Sequence, residues 1–346
     1  VKKKAAVLGA TGMVGQRFIK LLEEHPWFEL TALAASERSA GKKYSKVAKW
    51  VLDQEMSPEV GDMAVLSMDP KAVGDIELAF SALPSDIAKG VEESFARAGI
   101  TVLSNARAHR MELDVPLLNP EANADHISLI EEQRRNRGWD GVIVTNPNCT
   151  VAVLSLSLKP IYSSFGLKRV LVSTMQALSG AGYPGVAAIE ILDNVIPYIE
   201  SEEEKVQDEA QKILGQPMKP ATFKISASCH RVQVIDGHTE AVFVETEQKA
   251  EPEEVIDVME KFRAEPQKLK LPSAPEAPIV VKRNDYRPQP RLDRMEGRGM
   301  AVVVGRVRRD LALDGIKYVV LGHNTLRGAA GCSILNAELL TAKGYL

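Results

Sequence analysis

The chain is poor in the features that assign a protein to a specialised class. Its 346 residues contain three cysteines, Cys149, Cys229 and Cys332, far apart and without CxxC spacing. Neither a disulfide framework nor a zinc site is expected, and a reducing cytoplasm is the default compartment. The formal net charge is -3 with no long basic run, so there is no electrostatic footprint for nucleic acid. No apolar stretch reaches the roughly 18–20 residues that a membrane span needs. The basic-then-apolar start, Val1 to Gly9, is short and runs into a glycine turn. It reads as a first strand rather than a signal peptide. There is no internal repeat and no low-complexity segment.

What remains is ordinary for a soluble globular enzyme: 45% hydrophobic and 26% charged residues. The length predicts about two domains. In the first part, strand-like and helix-like segments alternate. Lys4–Gly9, Phe28–Ala35, Ile76–Ala82 and Ile100–Ser104 read as strands. Met13–Glu24, Ile87–Arg97 and Glu121–Arg137 read as helices. Such alternation predicts parallel β-α-β units. The charged stretch Glu131–Arg135 reads as a solvated face.

After Cys149 the texture changes. Lys168–Ala177, Thr222–Ala227, Arg231–Ile235, Thr239–Glu245, Ile279–Lys282, Met300–Val307 and Lys317–Leu321 read as strands. The helices are Gly185–Ile196, Glu202–Leu214 and Glu253–Ala264. This is an α+β pattern, expected to give a mostly antiparallel sheet with helices on one face. Leu271–Pro290 is a proline-rich loop or arm. Asn324–Lys343 reads as a helix whose small residues, Gly328-Ala329-Ala330-Gly331, permit close approach to another backbone.

Gly9-Ala10-Thr11-Gly12-Met13-Val14-Gly15 follows the first strand and opens the first helix. Glycines there permit a tight turn and bring a pyrophosphate close to a helix N-terminus, so a dinucleotide site is expected. NAD sites usually carry an acid at the end of the second strand. Ala35 stands there, followed by Ser36, Glu37, Arg38 and Ser39, with Lys42 and Lys43 beyond. Ser36, Arg38 and Ser39 suit a 2′-phosphate, which favours NADP; Glu37 argues the other way.

Cys149 lies between an apolar β-branched run, Gly141–Thr145, and an apolar helical segment, Thr150–Lys159. A thiol at such a junction faces a helix N-terminus, where the dipole favours the thiolate. Free N–H groups there can bind an oxyanion. Further on, Arg231 precedes a strand-like alternation, and Gly237-His238 falls at a turn between two strands. A histidine can exchange a proton with a thiol, and an arginine fork suits a carboxylate.

In chain order, the glycine turn, Ser104-Asn105, His109-Arg110-Met111, Asn146-Pro147-Asn148-Cys149-Thr150, Gln176, Ser179–Gly182 and Arg231 with Gly237-His238 resemble the aspartate-β-semialdehyde dehydrogenases. Asp193–Tyr198 and Glu202-Glu203-Glu204-Lys205 add to the match, which spans essentially the whole chain. It looks like the archaeal and fungal branch.

The resemblance implies a Rossmann-like NADP-binding domain, residues 1–148 plus 325–346, with a C-terminal helix returning to it. It implies a catalytic and dimerisation domain at 149–324. Cys149 would form a thioester with L-aspartyl 4-phosphate, with His238 as acid/base and Gln176 orienting the substrate. Arg231 would hold the substrate carboxylate, and Arg110 and Lys205 the phosphate. Asn148 would position the intermediate. An acid among Glu202, Glu203 and Glu204 would meet the ammonium; Glu202 has the matching spacing. Gly9, Thr11, Gly12, Met13, Val14, Ser36, Arg38, Ser39, Ser179, Gly180 and Asn324 would bind NADP(H). The product would be L-aspartate 4-semialdehyde, for biosynthesis of the aspartate-family amino acids. The expected state is a cytoplasmic homodimer or homotetramer, with no metal, nucleic acid or membrane partner. The rival reading is a malonyl-CoA or other acyl-CoA reductase on the same frame.

Overall fold

A computed structural model describes residues 1–346, which fall into two compact units. The first comprises Val1–Leu118, Asp125–Asn146 and Ser333–Leu346. Its sheet has six strands: β1 (Lys3–Leu8), β2 (Phe28–Ala34), β3 (Val65–Leu66), β4 (Leu78–Ser81), β5 (Thr101–Ser104) and β6 (Ile143–Thr145). Their order is β3-β2-β1-β4-β5-β6, and every pairing is parallel. The chain reverses its direction of travel across the sheet at β1, which puts a ligand crevice at the C-terminal ends of β1 and β4. β4, β5 and β6 are wholly buried, as strands covered on both faces must be. This is why they read as unbroken apolar runs rather than alternations.

Helix α1 (Met13–Leu22) packs Phe18, Ile19 and Leu22 on this sheet. The rings of Phe18 and Phe80 meet at a tilt of 30°, with centroids 5.0 Å apart. α2 (Ser85–Arg97) buries Ala88, Glu92, Phe95 and Ala96. The segment expected as one helix, Glu121–Arg137, is broken. A short turn at Pro120–Asn123 and a 3-10 turn at Ala124–Ser128 precede α3 (Leu129–Arg137). The Ser128 hydroxyl donates to the Asp125 carbonyl at 2.9 Å, a local bond that competes with the helical ladder. The break lies where the chain passes from one unit to the other.

The second unit comprises Asn119–Ala124 and Pro147–Cys332. Its core helix, α4 (Cys149–Phe165), is buried at every position from Thr150 to Leu158. That accounts for a segment apolar all round. The sheet is built from β7 (Arg169–Gln176), β8 (Lys224–Arg231), β9 (His238–Glu245), β10 (Ile279–Lys282), β11 (Val302–Asp310) and β12 (Gly315–Gly322). The order is β10-β11-β12-β9-β7-β8; the two outer pairs are parallel and the inner three antiparallel. The sheet is therefore mixed. β9 alternates buried and half-buried residues along its whole length, the period-2 signature of a sheet covered on one side. α5 (Glu202–Leu214) and α6 (Pro252–Lys261) flank α4.

Two further expectations differ from the structure. Gly185–Ile196 is not a helix; only Ala188–Ile191 makes a helical turn. Gly185 at φ +81° and Asp193 at φ +57° stand in the left-handed region, where a helix cannot run on. Arg231–Ile235 is not a strand either: β8 is Lys224–Arg231. Beyond it, Val232 donates to Gln176 O, while Val234 O and Ile235 O accept from Leu178 and Ser179. The backbone pairs with another loop instead of a ladder.

Candidate active site

In the second unit, Asn148 is the N-cap of α4. Its Oδ1 accepts from the N–H groups of Thr150 at 2.9 Å and Val151 at 3.3 Å. These two donors, expected to be free beside Cys149, are therefore occupied by the cap. The helix dipole still points at the first residue, Cys149. Gly328 lies against that residue: a Cβ there would stand 2.7 Å from Cys149 Cβ. The small-residue segment thus permits the close approach read from its composition.

His238 opens β9 and is fully buried. Its Nε2 lies 3.1 Å from Cys149 Sγ, and its Nδ1 accepts from the Ala177 N–H at 3.0 Å. A nitrogen that accepts carries no proton, so the neutral ring has its hydrogen on Nε2, facing sulfur. Burial, together with the neighbouring Arg231 and His323, pushes the His238 pKa down to about 3. The ring is neutral at physiological pH.

Arg231 ends β8 opposite Gln176, which ends β7. Its Nη1 donates to the Ala177 carbonyl at 2.7 Å, so one peptide residue braces both Arg231 and His238. Burial lowers the Arg231 pKa, countered by Cys149 and Glu202. Gln176 is buried, and its Nε2 donates to Thr174 Oγ1 at 3.3 Å. Asn324 accepts from the Gly237 N–H at 2.8 Å and donates to Ser179 Oγ at 2.7 Å. It ties the turn before His238, where Gly237 has φ +103°, to the Ser179-Gly180 loop.

The three adjacent glutamates have three different surroundings. Glu202 is buried; Oε1 accepts from Asn148 Nδ2 at 2.9 Å, and Oε2 meets Lys205 Nζ at 3.2 Å. Glu203 Oε1 accepts from the Cys229 N–H at 3.1 Å. Glu204 is exposed. Only Glu202 joins the Cys149 neighbourhood. Glu209, one further buried acid on α5, accepts from the Asn148 N–H at 2.7 Å. No local pattern marks it, because its partner is 61 positions away. Cys229 is a poor nucleophile: burial pushes its thiol up to about 12.

In the first unit, the glycine turn joins β1 to α1. Gly9 has φ +75°, and a Cβ there would meet Ala82 O at 2.7 Å. A Cβ on Gly15 would strike Gly9 O at 2.4 Å. A Cβ on Gly12, the α1 N-cap, meets only Gly9 O at 3.5 Å, leaving an open side at the helix start. Thr11, Met13 and Val14 line this turn, half-buried. Tyr44 OH donates to Ala10 O at 2.7 Å, and Gln16 Nε2 to Thr11 O at 3.1 Å, so the loop is held from below. These two braces carry no local sequence signal.

Ser36, Arg38 and Ser39 form the turn after β2, with Ser36 and Arg38 exposed and Ala35 buried. Arg110 is buried and its Nη2 donates to Asn105 O at 2.6 Å. No group of three His, Cys, Asp or Glu is placed to hold a metal ion. No helix is long and apolar enough to cross a membrane.

Comparison with known proteins gives a consistent result. Residues 4–130 match the family model "Semialdehyde dehydrogenase, NAD binding domain", and residues 158–327 match "Semialdehyde dehydrogenase, dimerisation domain". The chain is 59% identical to an aspartate-semialdehyde dehydrogenase of Methanothermobacter thermautotrophicus, over 96% of this chain and 97% of that one. It is 43% identical to a malonyl CoA reductase (NADP) of Metallosphaera sedula, over 99% and 98% of the two chains. A crystal structure of aspartate semialdehyde dehydrogenase with NADP from Candida albicans aligns at TM-score 0.92 and 42% identity, covering 100% of both chains.

Proposed function

The chain belongs to the aspartate-semialdehyde dehydrogenase family, and on that premise we propose that it reduces L-aspartyl 4-phosphate to L-aspartate 4-semialdehyde with NADPH, releasing phosphate. The observation that carries this reading is the 3.1 Å contact of Cys149 Sγ with His238 Nε2. Arg231, Gln176, Glu202 and Lys205 belong to the same compact unit.

The residues divide the substrate by charge. Arg231 takes the carboxylate, Glu202 the ammonium, and Arg110 and Lys205 the phosphate. Cys149 thiolate attacks the acyl carbon, and the C–O bond to phosphate breaks, leaving a thioester. NADPH, when bound, supplies the hydride that reduces this thioester. Collapse of the resulting alkoxide re-forms the carbonyl and returns Cys149 as thiolate. The one proton consumed overall ends on the released phosphate.

No step in this sequence requires a proton to leave the neutral His238 ring. Its Nε2–H donates first to the thiolate and then to the oxygen on which charge develops, a preorganised donor of the oxyanion-hole kind. To act instead as a base at Nε2, the ring would first have to give up its bond from Ala177. Gln176 and Asn148 orient the acyl group.

The open side of the glycine turn, at Gly9, Thr11, Gly12, Met13 and Val14, fits a pyrophosphate at the start of a ten-residue helix. Ser36, Arg38 and Ser39 fit a 2′-phosphate, and the buried Ala35 offers no acid to the ribose. Ser179, Gly180 and Asn324 would serve the nicotinamide end. We assign residues 1–148 with 325–346 to cofactor binding and 149–324 to catalysis and dimerisation. A cytoplasmic homodimer or homotetramer follows from the reading as a biosynthetic enzyme with a dimerisation domain.

The bonded group Asn148–Glu202–Lys205 favours an amino-acid substrate over malonyl-CoA, which has no ammonium for Glu202 to meet. The deciding assay is NADP reduction by aspartate semialdehyde, run with phosphate and separately with coenzyme A. Turnover that depends on phosphate supports the proposal; turnover only with coenzyme A sinks it. Cys149→Ala must lose nearly all turnover while still binding NADP.

A further inference from the structure

The surroundings of Arg110 contain a buried acid and a buried histidine that the reaction above does not use. Glu92, on α2, is fully buried. Its Oε1 accepts from the hydroxyls of Ser81 at 2.6 Å and Ser104 at 2.7 Å, the last residues of β4 and β5. Its Oε2 has no hydrogen-bond partner, and neither does the buried Nε2 of His109; the two atoms lie 3.7 Å apart. His109 Nδ1 faces Glu112 Oε2 at 2.9 Å. Glu112 also pairs with Arg137, and its carboxyl is held down at about 2. Nδ1 therefore donates to Glu112, and Nε2 is left facing Glu92 Oε2.

This pair is tied to Arg110 by two routes. Ser104 Oγ, fixed by Glu92, accepts from the Ala106 N–H at 3.1 Å. Asn105 donates its backbone and side-chain N–H groups to Ser81 O, at 3.0 and 3.2 Å. The carbonyl of Asn105 then receives Arg110 Nη2. By the second route, His109 adjoins Arg110 in sequence and anchors that stretch of the loop. A buried carboxyl with an unmatched oxygen is costly where a leucine would fill the space. An acid here is accounted for by what it holds.

We propose that Glu92 and His109 are positioning residues that fix Arg110 for phosphate, the acyl phosphate's own group in one direction and inorganic phosphate in the other. This rests on the assignment of Arg110 above.

The test is steady-state kinetics of the phosphate-dependent oxidation of aspartate semialdehyde. Glu92→Ala and His109→Leu should each raise the KM for phosphate about tenfold, the scale of loss from a loosened binding group. KM for NADP and for the aldehyde should stay within about twofold of wild type. Glu92→Gln keeps an acceptor for both serines and a donor toward Nε2, and should restore the phosphate KM to within about twofold. If Glu92→Ala does not fold, His109→Leu and Ser104→Ala make the same comparison. The proposal is overturned if phosphate KM is unmoved in these variants, or if all three KM values rise together. Arg110→Ala run alongside separates the two levels. If it raises phosphate KM and the Glu92 and His109 variants do not, only the positioning role falls. If wild type shows no phosphate-dependent turnover, the proposed activity falls first and takes this role with it.

Discussion

The Ala177 N–H points at His238 Nδ1 from 3.0 Å, and this single bond decides which nitrogen of the ring carries the hydrogen. A backbone amide can only donate, so Nδ1 must accept and Nε2 must carry the hydrogen. Glutamine places an amide N–H near the Nε2 position, whereas asparagine reaches only as far as Nδ1. His238→Gln is therefore expected to keep about tenfold more kcat than His238→Asn, since a donor to a developing oxyanion is worth about 10²–10³ in kcat. Equal, near-complete loss in both would favour proton transfer by the imidazole instead.

The same burial makes stability depend on pH. The folded ring titrates at about 3 against 6.5 for the free side chain. Between those values the unfolded chain binds a proton that the native state refuses. Stability from this group is complete above pH 6.5 and is lost as pH falls toward 3, at up to about 1.4 kcal/mol per pH unit. Thermal melts of wild type and His238→Gln from pH 6.5 to 4.5 check this. The wild-type Tm should fall more steeply; parallel curves would mean that the ring is not held neutral.

The separate surroundings of Glu202, Glu203 and Glu204 predict separate phenotypes. Glu202→Gln should raise the KM for aspartate semialdehyde at least tenfold, as loss of an ionic contact of about 1.5–3 kcal/mol would. Glu203→Ala should chiefly lower Tm, because it removes the acceptor of the Cys229 amide. Glu204→Gln should match wild type in both. A KM effect at Glu204 that exceeds the one at Glu202 would transfer the ammonium contact to the exposed acid.

How far this was legible beforehand depends on the range of the forces involved. The helix Glu202–Leu214 and the strand Ile279–Lys282 match their sequence readings end to end, because periodicity is a local property. The glycine turn is legible for the same reason. Arg231–Ile235 has the alternation of a strand, yet Arg231 exchanges backbone bonds with Ile196 and the residues after it bond chiefly to residues 176–179, which no local pattern reports. The pairing of Cys149 with His238 spans 89 positions. Family resemblance named both residues, but the tautomer depends on Ala177, whose side chain is silent. The choice among three glutamates likewise needed the direction of α5. Glu209 and Tyr44 act through backbone groups of distant residues and left no mark.

Asn148 holds two structures together with one amide group. Its Oδ1 caps α4 and its Nδ2 donates to Glu202. Asn148→Asp keeps the cap and even favours the helix dipole, but sets a carboxylate against Glu202 Oε1. Asn148→Ala loses the cap, at about 1 kcal/mol. The expected order is that Asp lowers kcat/KM more than Ala, while Ala lowers stability more than Asp. Measuring Tm and kcat/KM in both variants checks the crossing. If the two quantities fall in the same order, cap and Glu202 contact are not separable functions of this residue.

Gly180 offers the sharpest test of how tightly the centre is set. Its backbone runs so close to the site that a Cβ would lie 2.7 Å from Arg231 Nη1 and 3.0 Å from His238 Cε1. Its φ is not in the left-handed range, so Gly180→Ala carries no backbone penalty, and a loss with the KM for NADP unchanged reports crowding of Arg231 and His238. Arg231 is braced on the Ala177 carbonyl and His238 on the Ala177 amide. Neither can move without giving up that bond. A displacement on the order of 1 Å at reacting groups costs about 10²-fold, so kcat/KM should drop 10- to 100-fold. Overall Tm should stay within a few degrees, because the contact involves only the site. Kinetics within twofold of wild type would show that Arg231 and His238 shift freely, and that the Ala177 bonds do not hold the centre.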